Sequence, residues 1–237
     1  MITVLLPPVP VAAGDIVPLD PAEVHHLRVR RAGEAIRVQL RDGRGFIGTG
    51  RVRDEGSTLA VVVEQSAISA RPIPLRLAVA AGDRDRFAWL VEKAAELGVT
   101  DIFPVATERT AAVASRIRDG QLARLRRRAL EAVKQCGAPW APEVHPSQPL
   151  AGLLSQRLEG ARWLADASGQ GVPPAFGAGP STILVGPEGG LSRLEQDSAG
   201  AAGFLPVRLA EHVLRFETAA LAAAACAAAN RSGGADG

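Results

Sequence analysis

The chain is short of the residues that most often advertise chemistry. It has two cysteines, no tyrosine, one methionine and, among 27 cationic residues, only two lysines, Lys93 and Lys134. Cys136 and Cys226 stand far apart, with no CxxC and no Cys/His cluster. A disulfide framework and a structural zinc are therefore excluded as expectations. His25 and His26 are adjacent, so on a strand they point to opposite faces and do not share a metal; no metal site is expected. No apolar run reaches the ~20 residues of a membrane helix. The longest, 219–229, is rich in alanine and fits a packed helix better. The N-terminus carries no basic stretch before its apolar residues, and Pro7, Pro8 and Pro10 follow at once, so no signal peptide and a cytoplasmic protein are expected.

What is present is an apolar fraction of 47% in 237 residues, enough for one large domain or two small ones. The net charge is only +2, but it is unevenly spread. From Glu108 to Lys134 eight basic residues face three acidic ones, a local net of +5, densest at Arg124, Arg126, Arg127 and Arg128. Arg28, Arg30 and Arg31 form a second cluster. Arginine suits bidentate phosphate contacts, so both clusters are candidate nucleic-acid contacts; solvated faces account for the same charges.

Residues 1–70 read as short strands. Residues 35–40 alternate apolar and polar as a half-buried strand does, Asp42-Gly43 marks a turn, 46–52 returns, and 58–64 is a further Val-rich strand. Pro21–Leu27 reads as a short helix, and the whole as a small β-barrel-like module. Arg71-Pro72-Ile73-Pro74 is the expected linker. From Leu75 strands alternate with helices: strand 75–80, a helix carrying Phe87, Leu90, Val91, Ala94 and Leu97, strand 101–105, a long basic helix over 117–135, a short strand 162–165, a Gly/Pro-rich loop over 169–180, and strand 183–186. Ser192 and Glu195 then form a capping box, strand 204–209 follows, and a helix spans 218–230, with a disordered tail from Arg231. Such alternation predicts an α/β unit with a mostly parallel sheet.

Two segments stand out. One is Thr182-Ile183-Leu184-Val185-Gly186-Pro187-Glu188-Gly189-Gly190, the other Val207-Arg208-Leu209-Ala210-Glu211-His212-Val213-Leu214-Arg215-Phe216-Glu217-Thr218-Ala219. Each reads as a strand entering a helix through a turn, and strand C-termini are where open α/β sheets bind ligands. The glycines let a backbone approach a ligand closely. No lysine follows them, so this is not a GxxxxGK[ST] phosphate loop, and it is not GxGxxG. Glu188 repels phosphate and suits a ligand with hydroxyls and a positive centre. A tight turn without a ligand satisfies the same residues. Glu211, Arg215 and Glu217 cluster beside it, and Arg215 is placed either to pair with Glu217 or to hold an RNA phosphate or a uracil carbonyl. No cysteine lies near either turn, which disfavours a cysteine nucleophile, and Ser192 is not in a GxSxG elbow.

These two motifs, with the stretch 26–31, Glu92-Lys93-Ala94-x-Glu96-Leu97-Gly98, Glu108-Arg109 and Lys134-Gln135-Cys136-Gly137 with Pro142, resemble the RsmE family of SPOUT methyltransferases along nearly the whole chain. The resemblance implies a PUA-like RNA-binding β-barrel at 1–70 and an α/β domain with a deep trefoil knot at 74–237. It implies a homodimer that binds S-adenosylmethionine in the knot and methylates N3 of uridine 1498 in 16S rRNA of the small (30S) ribosomal subunit. By residue-wise carry-over, Leu184, Gly186, Glu188, Gly189, Leu209, Val213, Leu214 and Thr218 hold the cofactor and Arg215 and Glu217 serve catalysis. Arg28, Arg30, Arg31, Arg109 and Arg127 bind RNA. The chain departs from the family's pattern at Ala138 and Pro139, where an arginine is usual, at Ala210, where glycine is, and at Phe216, where threonine is. Other classes remain open at this point: a non-catalytic RNA-binding protein, a related SPOUT enzyme acting on ribose 2′-O or another base, and a nucleotide-binding α/β protein, which the missing phosphate-loop lysine disfavours.

Overall fold

The computed structural model describes residues 1–30, 35–80, 82–110 and 119–232. Arg31, one of the expected RNA contacts, lies outside them. The chain divides into two compact units: Met1–Arg71 with Leu130–Ala141, and Pro72–Ala129 with Pro142–Gly237. The first break falls between Arg71 and Pro72. The grouping of Leu130–Ala141 with the first unit was not legible in the sequence.

The first unit is a five-stranded sheet in the order β1-β3-β4-β5-β2. Its strands are β1 (Ile2–Leu5), β2 (Ile16–Pro18), β3 (Arg37–Arg41), β4 (Phe46–Asp54) and β5 (Leu59–Ile68). The β3–β4 turn forms because Asp42 Oδ1 accepts from the backbone N–H of Arg44 at 2.6 Å and Phe46 at 3.0 Å. Inward residues of the strands (Val38, Leu40, Val52, Val61, Val63) build the core of this unit. Helix α1 (Pro21–Val29) starts where expected: Asp20 caps it by accepting from Ala22 and Glu23 N–H, and Pro21 occupies the first turn. Glu23 is buried and paired to Lys134 Nζ at 2.5 Å. Burial pushes the Glu23 carboxyl up, against the pull of that ammonium.

The second unit holds a seven-stranded sheet in which each pairing is parallel: β12 (Leu205–Arg208), β10 (Ala161–Gly171), β11 (Ser181–Val185), β6 (Leu75–Ala80), β7 (Asp101–Ala106) and β8 (Glu143–Val144) in that order, with β9 (Gln148–Pro149) on β7. Strand β6 is buried on both faces, as parallel strands between helices are. Leu75, Leu77 and Val79 meet α2 (Arg84–Glu96) and α6 (Phe216–Ser232) in one core. Ala78 and Ala80 meet a second core shared with α4 (Leu150–Leu154) and α5 (Arg193–Ala201). In α6, Ala220, Ala223, Ala224 and Ala227 recur at helical spacing and are fully buried. The order turns around at β6: β7 and β8 lie on one side, β11, β10 and β12 on the other. The C-terminal ends of β6 and β11 therefore flank a switch point of the kind that holds ligands in open α/β sheets.

Three expectations need correction. Strand β10 does not stop at Ala165: it continues to Gly171 through a bulge in which Ala165 and Gln170 both pair with Val207. Gly169 makes this possible, since a Cβ there would lie 2.5 Å from Val207 N and 2.6 Å from Pro206 C. The last helix begins at Phe216, two residues early, and runs past 230. Arg231 is anchored rather than disordered: its guanidinium donates to the carbonyls of Gly177, Ile73, Pro74 and Gly179 at 2.7–3.1 Å. The basic helix α3 (Asp119–Cys136) falls close to its expected range.

Candidate functional site

The C-terminal ends of β10, β11 and β12 enclose a cavity of about 280 Å³. Three segments line it: Leu164–Ala167 at the β10 bulge, the turn Val185–Leu191 after β11, and residues 208–210 and 212–214 from the end of β12 onward, closed by Phe216 and Ala219 of α6. The two segments singled out in the sequence thus form one pocket.

The β11–α5 turn is built by its own residues. Gly190 N–H donates to Pro187 O at 2.7 Å, and Gly190 has φ +71, which glycine adopts without strain. Ser192 and Glu195 form a reciprocal capping box at the start of α5. The other oxygen of Glu195 accepts from Glu108 N–H at 2.9 Å, tying the segment after β7 to the turn. Arg109 lies across the turn: Nη1 donates to Gly190 O at 3.3 Å, and a Cβ on Gly189 would meet the Arg109 side chain at 3.3 Å. On the β10 side, Asp166 Oδ1 accepts from Ser168 N–H and Oγ at 2.8 and 2.6 Å, and Gln196 Nε2 donates to Oδ2 at 3.4 Å.

Of the residues expected to bind cofactor, Gly186, Glu188, Gly189, Leu209, Val213 and Leu214 line the cavity. Leu184 does not: it points from β11 into the core with Phe103 and Leu191. Thr218 is exposed and lies outside the lining. Of the two placements open to Arg215, pairing with Glu217 is not the one formed. Arg215 is exposed just before α6, whereas the Glu217 side chain, 8% exposed, has Oε1 3.8 Å from Arg86 Nε. The same guanidinium reaches Glu188 Oε1 at 4.0 Å. Glu217 Oε2 is buried without a hydrogen-bond partner among the described residues. Arg86 and Asp166 had escaped sequence reasoning, and Arg208 and His212 had been given no role within their segment. Asp166 carried a faint signal, as an acid at the end of an expected strand; Arg86 is brought to Glu217 by tertiary packing alone. Phe216, noted only as a departure, is buried and forms part of the wall.

The cationic residues divide by role. Arg126 Nε donates to Val144 O at 2.9 Å and Arg128 is paired with Glu92 at 2.9 Å, so both serve the fold. Arg28, Arg30, Arg124 and Arg127 are exposed and make no ion pair among the described residues. At the opposite, N-terminal end of β7, Asp101, Glu143 and His145 bring ligand-type atoms within 4.8 Å of one another. There His145 Nε2 is 2.9 Å from Asp101 Oδ1, and its ring stacks on Phe103 at 4.1 Å. No helix among the described residues is long and apolar enough to cross a membrane.

A family model described as an RNA methyltransferase domain matches residues 69–228, and one described as an RNA methyltransferase PUA domain matches residues 19–65. Fold and matches together define the class, a PUA-bearing RNA methyltransferase. A ribosomal RNA small subunit methyltransferase E from Synechocystis is 32% identical over 215 residues, covering 86% of this chain and 69% of its own length. The crystal structure of a ribosomal RNA small subunit methyltransferase E from Neisseria gonorrhoeae bound to S-adenosyl methionine superposes with a TM-score of 0.84 at 29% identity, covering 95% of each chain. A Legionella pneumophila protein in complex with the same cofactor gives 0.78 at 26%, covering 96% and 97%. The chain belongs to the ribosomal RNA small subunit methyltransferase E family.

Proposed function

We propose that the chain transfers a methyl group from S-adenosylmethionine, held between the ends of β10, β11 and β12, to N3 of uridine 1498 in 16S rRNA. The observation that carries this reading is the cavity itself, in a chain whose structural relatives were crystallised with that cofactor. The lining suits the ligand. Gly186 and Gly189 keep the backbone bare, since a Cβ at either would sit 3.3 Å from Leu191 or Arg109. Val185, Leu191, Leu209, Leu214 and Phe216 supply an apolar wall for a purine, and Asp166 and Glu188 supply negative charge for a cationic ligand. When bound, S-adenosylmethionine supplies an electrophilic methyl on a sulfonium.

The chain's residues then have three tasks. The walls hold the reacting atoms in line, an orientation effect worth several kcal/mol. Arg215, exposed beside the pocket, stabilises negative charge developing on a uracil carbonyl oxygen. Glu217, with Oε2 unpartnered, accepts the proton that N3 must lose, directly or through water. Arg28, Arg30, Arg31, Arg109 and Arg127 contact rRNA phosphates, which position without reading sequence, so target choice rests on rRNA shape.

The same reading includes the trefoil knot, the PUA-like and methyltransferase domains at 1–70 and 74–237, a homodimer and a cytoplasmic location. Exposed Leu205 on the edge strand β12 and Val213 shortly after it support a partner copy. The test is tritium transfer from labelled S-adenosylmethionine to 30S subunits lacking the modification, with mass mapping of the product. Label on the expected uridine supports the reading. Label on a ribose or another base assigns a different SPOUT activity, and a chain that binds no cofactor by calorimetry is a non-catalytic RNA-binding protein.

A further inference from the structure

We propose that Arg86 is a positioning residue for methyl transfer, holding the Glu217 carboxylate in place at the start of α6; this rests on the reading of the cavity above. Arg86 is the third residue of α2, and its backbone is fixed there because its N–H donates to the capping carboxylate of Asp83 at 2.9 Å. A cation in the first turn of a helix faces the positive end of the helix dipole, so its place is unfavourable unless acids offset it. Two do. Nε lies 3.8 Å from Glu217 Oε1, and Nη1 lies 4.0 Å from Glu188 Oε1.

The two arms are not equivalent. Glu188 is 45% exposed and its pair with Arg86 is a surface contact of little weight. Glu217 is inside: its side chain is 8% exposed, while that of Arg86 is 40% exposed. Arg86 meets one oxygen and leaves Oε2 without a partner among the described residues. The neighbouring residue Phe216 forms cavity wall, and Gly82, at the start of the same loop as Asp83, leaves room for Glu188: a Cβ there would lie 3.3 Å from Glu188 Oε2. One guanidinium therefore joins the loop after β6, the turn after β11 and the first turn of α6, all three at the switch point of the sheet. With Arg86 removed, the first turn of α6, which carries Phe216 of the cavity wall and follows Arg215, loses the ion pair that fixes it.

The experiment compares wild type, Arg86→Ala, Arg86→Lys, Glu217→Gln and the double variant Arg86→Ala/Glu217→Gln. It measures kcat on unmodified 30S subunits and Kd for S-adenosylmethionine. Arg86→Ala lowers kcat tenfold or more while Kd stays within threefold, a split that general loss of structure does not produce. Arg86→Lys, which keeps the charge, recovers most of kcat. In the Glu217→Gln background Arg86→Ala has no further effect, because the two residues act as one unit. An Arg86→Ala protein with wild-type kcat, or effects of the two substitutions that multiply, overturns the role of Arg86. A Glu217→Gln protein with wild-type kcat overturns it through Glu217. A wild-type chain that neither binds the cofactor nor labels 30S subunits overturns the reading of the cavity, and the Arg86 role with it.

Discussion

Replacing Arg231 with alanine should destabilise the second unit by about 3 kcal/mol. The side chain closes the C-terminal end of α6 with four charge-assisted bonds: Nε to Gly177 O at 2.7 Å, Nη1 to Ile73 O at 2.8 Å, and Nη2 to Pro74 O at 2.9 Å and Gly179 O at 3.1 Å. Burial pulls the guanidinium below its ordinary value, the sign of a charge partly withdrawn from water. Gly177 is buried, so its carbonyl loses its partner outright, at ~1.5–3 kcal/mol. Ile73 is exposed and Pro74 and Gly179 are half-buried, so water replaces much of those bonds, which together contribute roughly 1 kcal/mol. For a unit of this size ~3 kcal/mol corresponds to a fall in Tm of about 6–12 °C. Differential scanning calorimetry at neutral pH reads it directly. Arg231→Lys should recover less than half, because an ammonium on a flexible stem does not span four carbonyls in two segments. A Tm for Arg231→Ala within ~1 °C of wild type would refute the reasoning: the bonds would then be worth no more than those water makes.

Three further outcomes follow from particular contacts. Arg215→Ala should leave S-adenosylmethionine affinity nearly unchanged in calorimetry and lower kcat on 30S subunits by ~10²-fold, the usual size of a lost charge-stabilising donor; equal losses of both would sink its catalytic assignment. Gly169→Ala should lower stability by ~1–3 kcal/mol, as overpacking does, because its Cβ would press on the Pro206–Val207 backbone; cofactor affinity should fall with it, since the bulge carries Asp166 and Ala167 into the cavity, and an unchanged melting curve would count against the bulge. Asp101 tests the pH dependence. Burial raises its carboxyl, but hydrogen bonds from His145 and Thr100 outweigh that and hold it below its ordinary 3.8. A carboxylate with a lowered folded-state value stabilises the fold above the unfolded value, and the stabilisation is lost as pH falls through the folded one. Urea midpoints of wild type and Asp101→Asn should therefore differ most above about pH 5 and converge toward pH 3. A gap that stays constant across that range would show that Asp101 contributes by packing alone.

Much of this arrangement could be read from the chain because local physics decided it. Asp20 and Pro21 start α1, Ser192 and Glu195 start α5, and Asp42 with its flanking glycines turns β3 into β4, all through contacts within a few residues. The cavity was legible for a similar reason: an apolar strand ending in glycines has few outcomes in a parallel sheet. What stayed hidden depends on distant partners. The β10 bulge exists because β12 comes alongside and only Gly169 leaves room for it. Arg231 looked like the start of a tail, and its order comes from carbonyls at 73–74 and 177–179.

The same division explains which residues pair at the site. Arg215 and Glu217 are two residues apart, close enough on paper to meet, but across the start of a helix residues at that spacing do not face each other. Glu217 turns inward in the first turn of α6, where the helix dipole favours an acid, and Arg215 is left outside. The cation that Glu217 meets instead comes from the first turn of another helix, more than a hundred residues earlier in the chain. Sequence spacing can place an acid and a base near one pocket, while the helix start decides which of them faces in. At this site that decision separates a buried carboxylate beside Arg86 from an arginine exposed to solvent.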